Sequence, residues 1–138
     1  MHINFIAVLA AAVASFIFGG VWYNLLSKPW LAALGWTEAD TCGPDGKKKM
    51  PAGPMIVGII GQLIMAGGID AVSTHIHGGP PTVFAGALTG AAIWFHFVVT
   101  TMAINYAFQK RKVMLNVIDG AHWLGVLLIQ GLVIGLLA

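Results

Sequence analysis

The sequence predicts an all-α fold: an integral membrane four-helix up-down bundle with a short interfacial helix after the first span. Three observations predict it. Of 138 residues 58% are hydrophobic and 9% charged, with a mean hydropathy of +0.85, whereas a soluble domain carries about a quarter charged residues. Four apolar stretches, Ile3 to Leu26, Met55 to His75, Thr82 to Ala107 and Val113 to Ala138, each reach the roughly 20 helical residues that cross a hydrocarbon core. The seven basic residues all fall between stretches: Lys28, Lys47, Lys48 and Lys49 in the first connection, Lys110, Arg111 and Lys112 in the third.

That charge placement sets the expected topology. Lys and Arg accumulate on the cytoplasmic side, so the connections 27–54 and 108–112 are expected in the cytoplasm and both termini outside the inner membrane. The chain reads as one transmembrane domain over residues 1–138. The connections 76–81 and 108–112 are short enough to make consecutive helices antiparallel neighbours. Ala12-Val13-Ala14 resembles a signal cleavage site, but no basic segment precedes it and the apolar run continues to Leu26, which predicts an uncleaved first helix. Cys42 is the only cysteine, so no disulfide forms within the chain.

Inside the first connection, Ser27 can cap a short helix with Pro29 in its first turn. Trp30, Leu31, Leu34 and Trp36 give that helix an apolar side suited to the interface before Gly35 ends it. From Thr41 to Pro54 the composition turns to Gly, Pro, Asp and Lys, which predicts a mobile loop with too little apolar surface to order itself. The basic residues read as topology signals rather than a nucleic-acid surface, because no aromatic-interleaved patch accompanies them. The lipid bilayer is the expected partner.

Two segments together resemble a known family. Gly19-Gly20-Val21-Trp22-Tyr23, followed by Lys28-Pro29-Trp30 and Leu34-Gly35-Trp36, resembles the opening of the domain of unknown function 1761 family of small bacterial membrane proteins. Asn105-Tyr106-Ala107-Phe108, a basic turn and a glycine-rich last helix are similar to its second signature. The resemblance implies a four-helix membrane fold and carries over no catalytic residue. The lysine-rich loop and the ionisable residues inside helices two to four are not part of it.

At about 100° per residue, each predicted helix carries one polar stripe. Asn4, Ser15 and Trp22 align on the first; Gln62, Asp70, Ser73 and His77 on the second; Thr82, Thr89, His96 and Thr100 on the third; Asn116, Asp119, His122 and Gln130 on the fourth. Polar groups facing lipid lack partners, so the stripes are expected to turn inward. For Thr, Ser and Gln the plain reading is interhelical hydrogen bonding at about 0.6 kcal/mol each. Gly86 with Gly90, and Gly131 with Gly135, have the small-xxx-small spacing of close helix packing, either within the bundle or between copies. With Trp22, Tyr23 and Trp30 they form the expected interface set.

An intramembrane Asp costs about 2.5–3.5 kcal/mol on insertion scales, so it persists where it is paired, wet or needed. Helical rise puts Asp119 about 9 Å, Gln62 about 10 Å, His122 about 14 Å and His96 about 16 Å from the cytoplasmic end. Asp119 and His122 lie three apart, so the carboxylate can stand beside the imidazole and bias its protonation. These residues suggest a proton-responsive polar centre of Asp119, His122 and His96 with Gln62 and Asn116, against the alternative of a buried cluster that fixes helix register. His96 and His122 could instead grip a haem, and His2, Asp70, His75 and His77 have the residue types of a zinc or copper site. No cofactor is expected under the leading reading.

Three functions follow: a small homo-oligomeric transporter or channel-like protein, an accessory subunit of a larger membrane complex, and a haem- or metal-dependent membrane redox protein. Enzymatic activity is the less favoured class, because no nucleophile-base-acid constellation stands out.

Overall fold

The computed structural model describes residues 3–138, and these fold as an all-helical membrane bundle. Helix α1 spans Phe5–Leu25, α2 Ser27–Leu34, α3 Ala52–His77, α4 Val83–Ile93, α5 Val99–Phe108 and α6 Val113–Leu137. A π turn, Trp94–Val98, joins α4 to α5 into one span. Four helical segments, Phe5–Leu25, Ala52–His77, Val83–Phe108 and Val113–Leu137, are long and apolar enough to cross a membrane.

Helix α6 is the centre of the bundle, touching α1, α2, α3, α4 and α5. Small residues make this closeness workable. Ala7, Ala11 and Ala12 of α1 and Ala66 of α3 are buried with Ile69, Leu127 and Ile134 in the core. Against lipid there is no hydrophobic gain from burying one apolar helix on another, so close packing and hydrogen bonds decide the association.

The glycine pairs show how close that packing is. A Cβ on Gly86 would strike the carbonyl of Gly131, and one on Gly90 the carbonyl of Leu127. A Cβ on Gly135 would come to 2.7 Å from Thr82 O. The four glycines therefore seat α4 on α6 within one chain. This corrects the alternative of an interface between copies, since each motif already has the other as its partner.

Polar bonding ties the remaining helices in the core. Buried Ser15 of α1 donates to Gln62 Oε1 of α3 at 2.6 Å, and Gln130 Nε2 of α6 donates to Ser15 Oγ at 3.0 Å and to Gln62 O at 3.2 Å. Gln62 thus belongs to this three-helix knot and not to the Asp119 centre expected from its depth. Gln130→Leu, which keeps the volume, is expected to cost about 0.6–1.7 kcal/mol in an SDS unfolding titration. No change in that titration would mean that the knot does not hold the helices.

The first connection is more ordered than its composition predicts. Gly35 ends α2 in the left-handed conformation at φ 75°, but Ser27 lies inside the helix and makes no cap, because α2 continues almost directly from α1 through Leu26. Thr37 and Asp40 then form a capping box around the short turn Glu38–Thr41. Gly43 donates its N–H to Lys47 O, and Lys49 to Thr41 O, closing a tight loop next to a bridge between Cys42 and Lys48. Local side-chain bonds to the backbone thus organise residues that bury little surface.

The stripe expected on the third span does not continue past Thr89. Thr89 is buried and its hydroxyl lies 3.4 Å from Ser73 Oγ, whereas His96 and Thr100 are exposed. The 100° step fails where the backbone widens to i→i+5 bonding in the π turn. Trp94 takes the inward place there, donating its indole N–H to Gly120 O at 2.8 Å.

Candidate functional site: a carboxylate held by two phenols and an indole

Asp119 lies on the second turn of α6 and is 9% exposed. Tyr23 of α1 donates its hydroxyl to Asp119 Oδ1 at 2.7 Å, and Trp30 of α2 donates its indole N–H to the same oxygen at 3.1 Å. Tyr106 of α5 donates to Oδ2 at 2.8 Å. One carboxylate therefore gathers α1, α2 and α5 onto α6. All three partners are neutral, so their donors stabilise the anion without cancelling its charge.

The backbone on either side of Asp119 is held as well. Trp22 Nε1 donates to Ile118 O at 3.2 Å, and Trp94 Nε1 to Gly120 O. Tyr and Trp combine apolar bulk with one polar handle, and those of Trp22, Tyr23, Trp30, Trp94 and Tyr106 reach α6. Trp22, Tyr23 and Trp30, expected at an interface, turn their N–H and O–H groups to α6 of their own chain. Lys112 Nζ donates to Ala32 O at 3.0 Å and, with buried Leu31 and Ala33, fastens α2 beneath the bundle.

His122 follows one turn deeper and is buried. Its ring stacks on Phe18 at 6.1 Å and 9°, and lies 4.8 Å from the Tyr23 ring. Gly19 makes room for it, because a Cβ there would come to 2.8 Å from His122 Nε2. Asp119 stands one turn from His122, as the spacing predicts, but the two share no hydrogen bond: the carboxylate is turned to its phenols and indole, and His122 Nδ1 is buried without a partner. Asn116, one turn nearer the helix start, likewise has a buried Oδ1 without a partner.

His96 does not join this group. It is exposed on the π turn, with Nδ1 2.9 Å from Ala92 O of its own helix. The two histidines considered for haem therefore occupy different environments, one outside the bundle and one inside. Of the residues considered for a metal, His2 lies outside the described residues. His75 and His77 are exposed at the end of α3, and Asp70 is buried, accepting the backbone N–H of Asn4 at 2.8 Å. Asp70 thus serves the positive N-terminal end of α1, where a carboxylate is favoured. No group of three His, Cys, Asp or Glu gathers among the described residues.

Sequence reasoning found Asp119, His122 and Asn116 but missed Tyr106 and the inward role of Tyr23 and Trp30. A signal was present: all three aromatics lie in or beside the basic connections, the same end from which Asp119 is about 9 Å deep. Each brings a donor that a buried carboxylate can use.

Apolar spans around buried polar side chains define an integral membrane protein of the helical-bundle class. The family model described as protein of unknown function (DUF1761) matches residues 6–135. The chain belongs to that family, as its two signature segments imply. No curated protein and no solved structure matches it.

Proposed function

We propose that the protein is a small proton-linked membrane transporter whose responsive group is Asp119. The observation that carries this reading is a buried carboxylate, within a membrane span, whose three partners Tyr23, Trp30 and Tyr106 are all neutral. An anion so placed is costly in hydrocarbon and marks a functional position by default. Its charge is removed by taking up a proton or a cation, and that event loosens the donors that bind α1, α2 and α5 to α6.

The working unit under this reading is an assembly of copies. Four helices packed around side chains leave little room for a pathway, and the outer face offers a reason to associate. His96 is an imidazole near mid-span on the exterior, between exposed Phe95 and Phe97. Such a group is best housed against another protein surface.

The test is proton movement into liposomes carrying the purified protein, driven by an imposed membrane potential and read by an enclosed pH-sensitive dye. Acidification faster than in protein-free liposomes is expected, and Asp119→Asn should reduce it at least tenfold. Equal rates for both proteins would overturn the reading. The orientation that accompanies it places the first connection in the cytoplasm of a cell with an inner membrane. A membrane-impermeant maleimide should then label Cys42 in inside-out vesicles and not in intact spheroplasts.

A further inference from the structure

We propose that the Asp119 centre binds a primary ammonium group, R–NH3+, carried on an apolar or aromatic body. The inference names the ligand class of the centre, and rests on the transport reading only in treating that ligand as cargo. It follows from an accounting of donors and acceptors. An ionised carboxylate offers about four acceptor positions, and Tyr23, Trp30 and Tyr106 use three of them, leaving one on Oδ2. Asn116 Oδ1, a turn away on the same stripe, is a buried acceptor without a partner, and His122 Nδ1 on the other side is a third unpartnered atom.

Two of these atoms, Asp119 Oδ2 and Asn116 Oδ1, are acceptors, while the phenol and indole donors that reach Asp119 are already engaged. A buried acceptor left without a donor costs about 1–3 kcal/mol, so the group that suits this place brings donors, brings no acceptor and carries positive charge. An ammonium has three donors and no acceptor. Tyr106, which donates to Oδ2, is less deeply buried than Tyr23 on Oδ1, so this is the more open side of the carboxylate. The rings of Tyr23 and Trp30, edge to face at 5.1 Å, and of Tyr106 supply surfaces that attract an organic cation. A hard metal ion would gain little from them, because aromatic faces do not replace its water oxygens.

Two sources share this chemistry: a free amine and the headgroup of phosphatidylethanolamine. The experiment titrates phenethylammonium into the full chain in phosphatidylcholine nanodiscs, reading tryptophan fluorescence, and repeats it with the N-trimethylated analogue, which has the same charge and no N–H. Saturable binding of phenethylammonium is expected, at least tenfold weaker for the trimethylated compound and at least tenfold weaker in Asp119→Asn. Loss of phenethylammonium binding in phosphatidylethanolamine nanodiscs would identify the headgroup as the ligand, and unchanged binding there a free amine. Absence of saturable binding, or equal affinity for the two compounds, overturns the inference without relying on any variant. Asp119-dependent proton flux without ammonium binding would leave the transport reading standing alone. Ammonium binding without flux would leave the site and remove the transport.

Discussion

Gly131→Leu is expected to prevent the native bundle from forming while leaving membrane insertion intact. Leucine favours the membrane more than glycine does, so the span still inserts. The failure arises afterwards, when α6 meets α4. The position of a Cβ on Gly131 is occupied by the carbonyl of Gly86, with Ala87 N at 2.9 Å. A clash with backbone cannot be relieved by a rotamer change, so the two helices must separate. Separation also breaks the Gly90–Leu127 and Gly135–Val83 approaches and draws Trp94 from Gly120 O. Overpacking alone costs about 1–3 kcal/mol, and occasionally more; with the lost neighbouring contacts the total should exceed the upper figure. An SDS unfolding titration reads the effect. Leu136→Ala, on an exposed position of the same helix, should behave as wild type, and similar behaviour of the two variants would show that the glycine seam does not organise the fold.

Asp119→Ala should be the second largest loss, at about 2–4 kcal/mol. It removes the acceptor of three donors at once, and a buried donor left unsatisfied costs about 1–3 kcal/mol. The sum is moderated because half-buried Tyr106 can turn to water. Trp30 loses its bond to α6, so α2 should loosen and tryptophan emission shift to longer wavelength. Asp119→Asn keeps one acceptor oxygen and the side-chain shape. Its cost should be clearly smaller, and this separation allows the amide variant to report on proton chemistry rather than on folding. An alanine variant as stable as wild type would mean that the three hydrogen bonds do not fasten the helices.

The spans were legible because length and hydropathy alone decide what can cross a bilayer, and the basic residues at Lys28, Lys47–Lys49 and Lys110–Lys112 fall only between them. Ser15, Gln62, Asp70, Thr89, Asp119, His122 and Gln130 are buried, as polar groups excluded from lipid must be. The helical step failed at His96, where a π turn changes residues per turn and nothing in the pattern of side chains announces it. The centre was half legible: Asp119 stands out by its cost, but its partners are aromatic residues that a membrane-interface reading explains equally well. Only the folded geometry distinguishes Tyr23 and Trp30 turned inward from the same residues anchored at the interface. The glycine motifs were recognised, yet spacing alone does not say whether a motif meets its own chain or another.

Under this reading Asp119 exchanges a proton within the membrane. Difference infrared spectroscopy of the reconstituted protein, stepped between acid and alkaline pH, tests it most directly. A reversible carboxylic-acid carbonyl band is expected to appear on acidification and to be missing from Asp119→Asn. A difference spectrum unchanged by that substitution would contradict it.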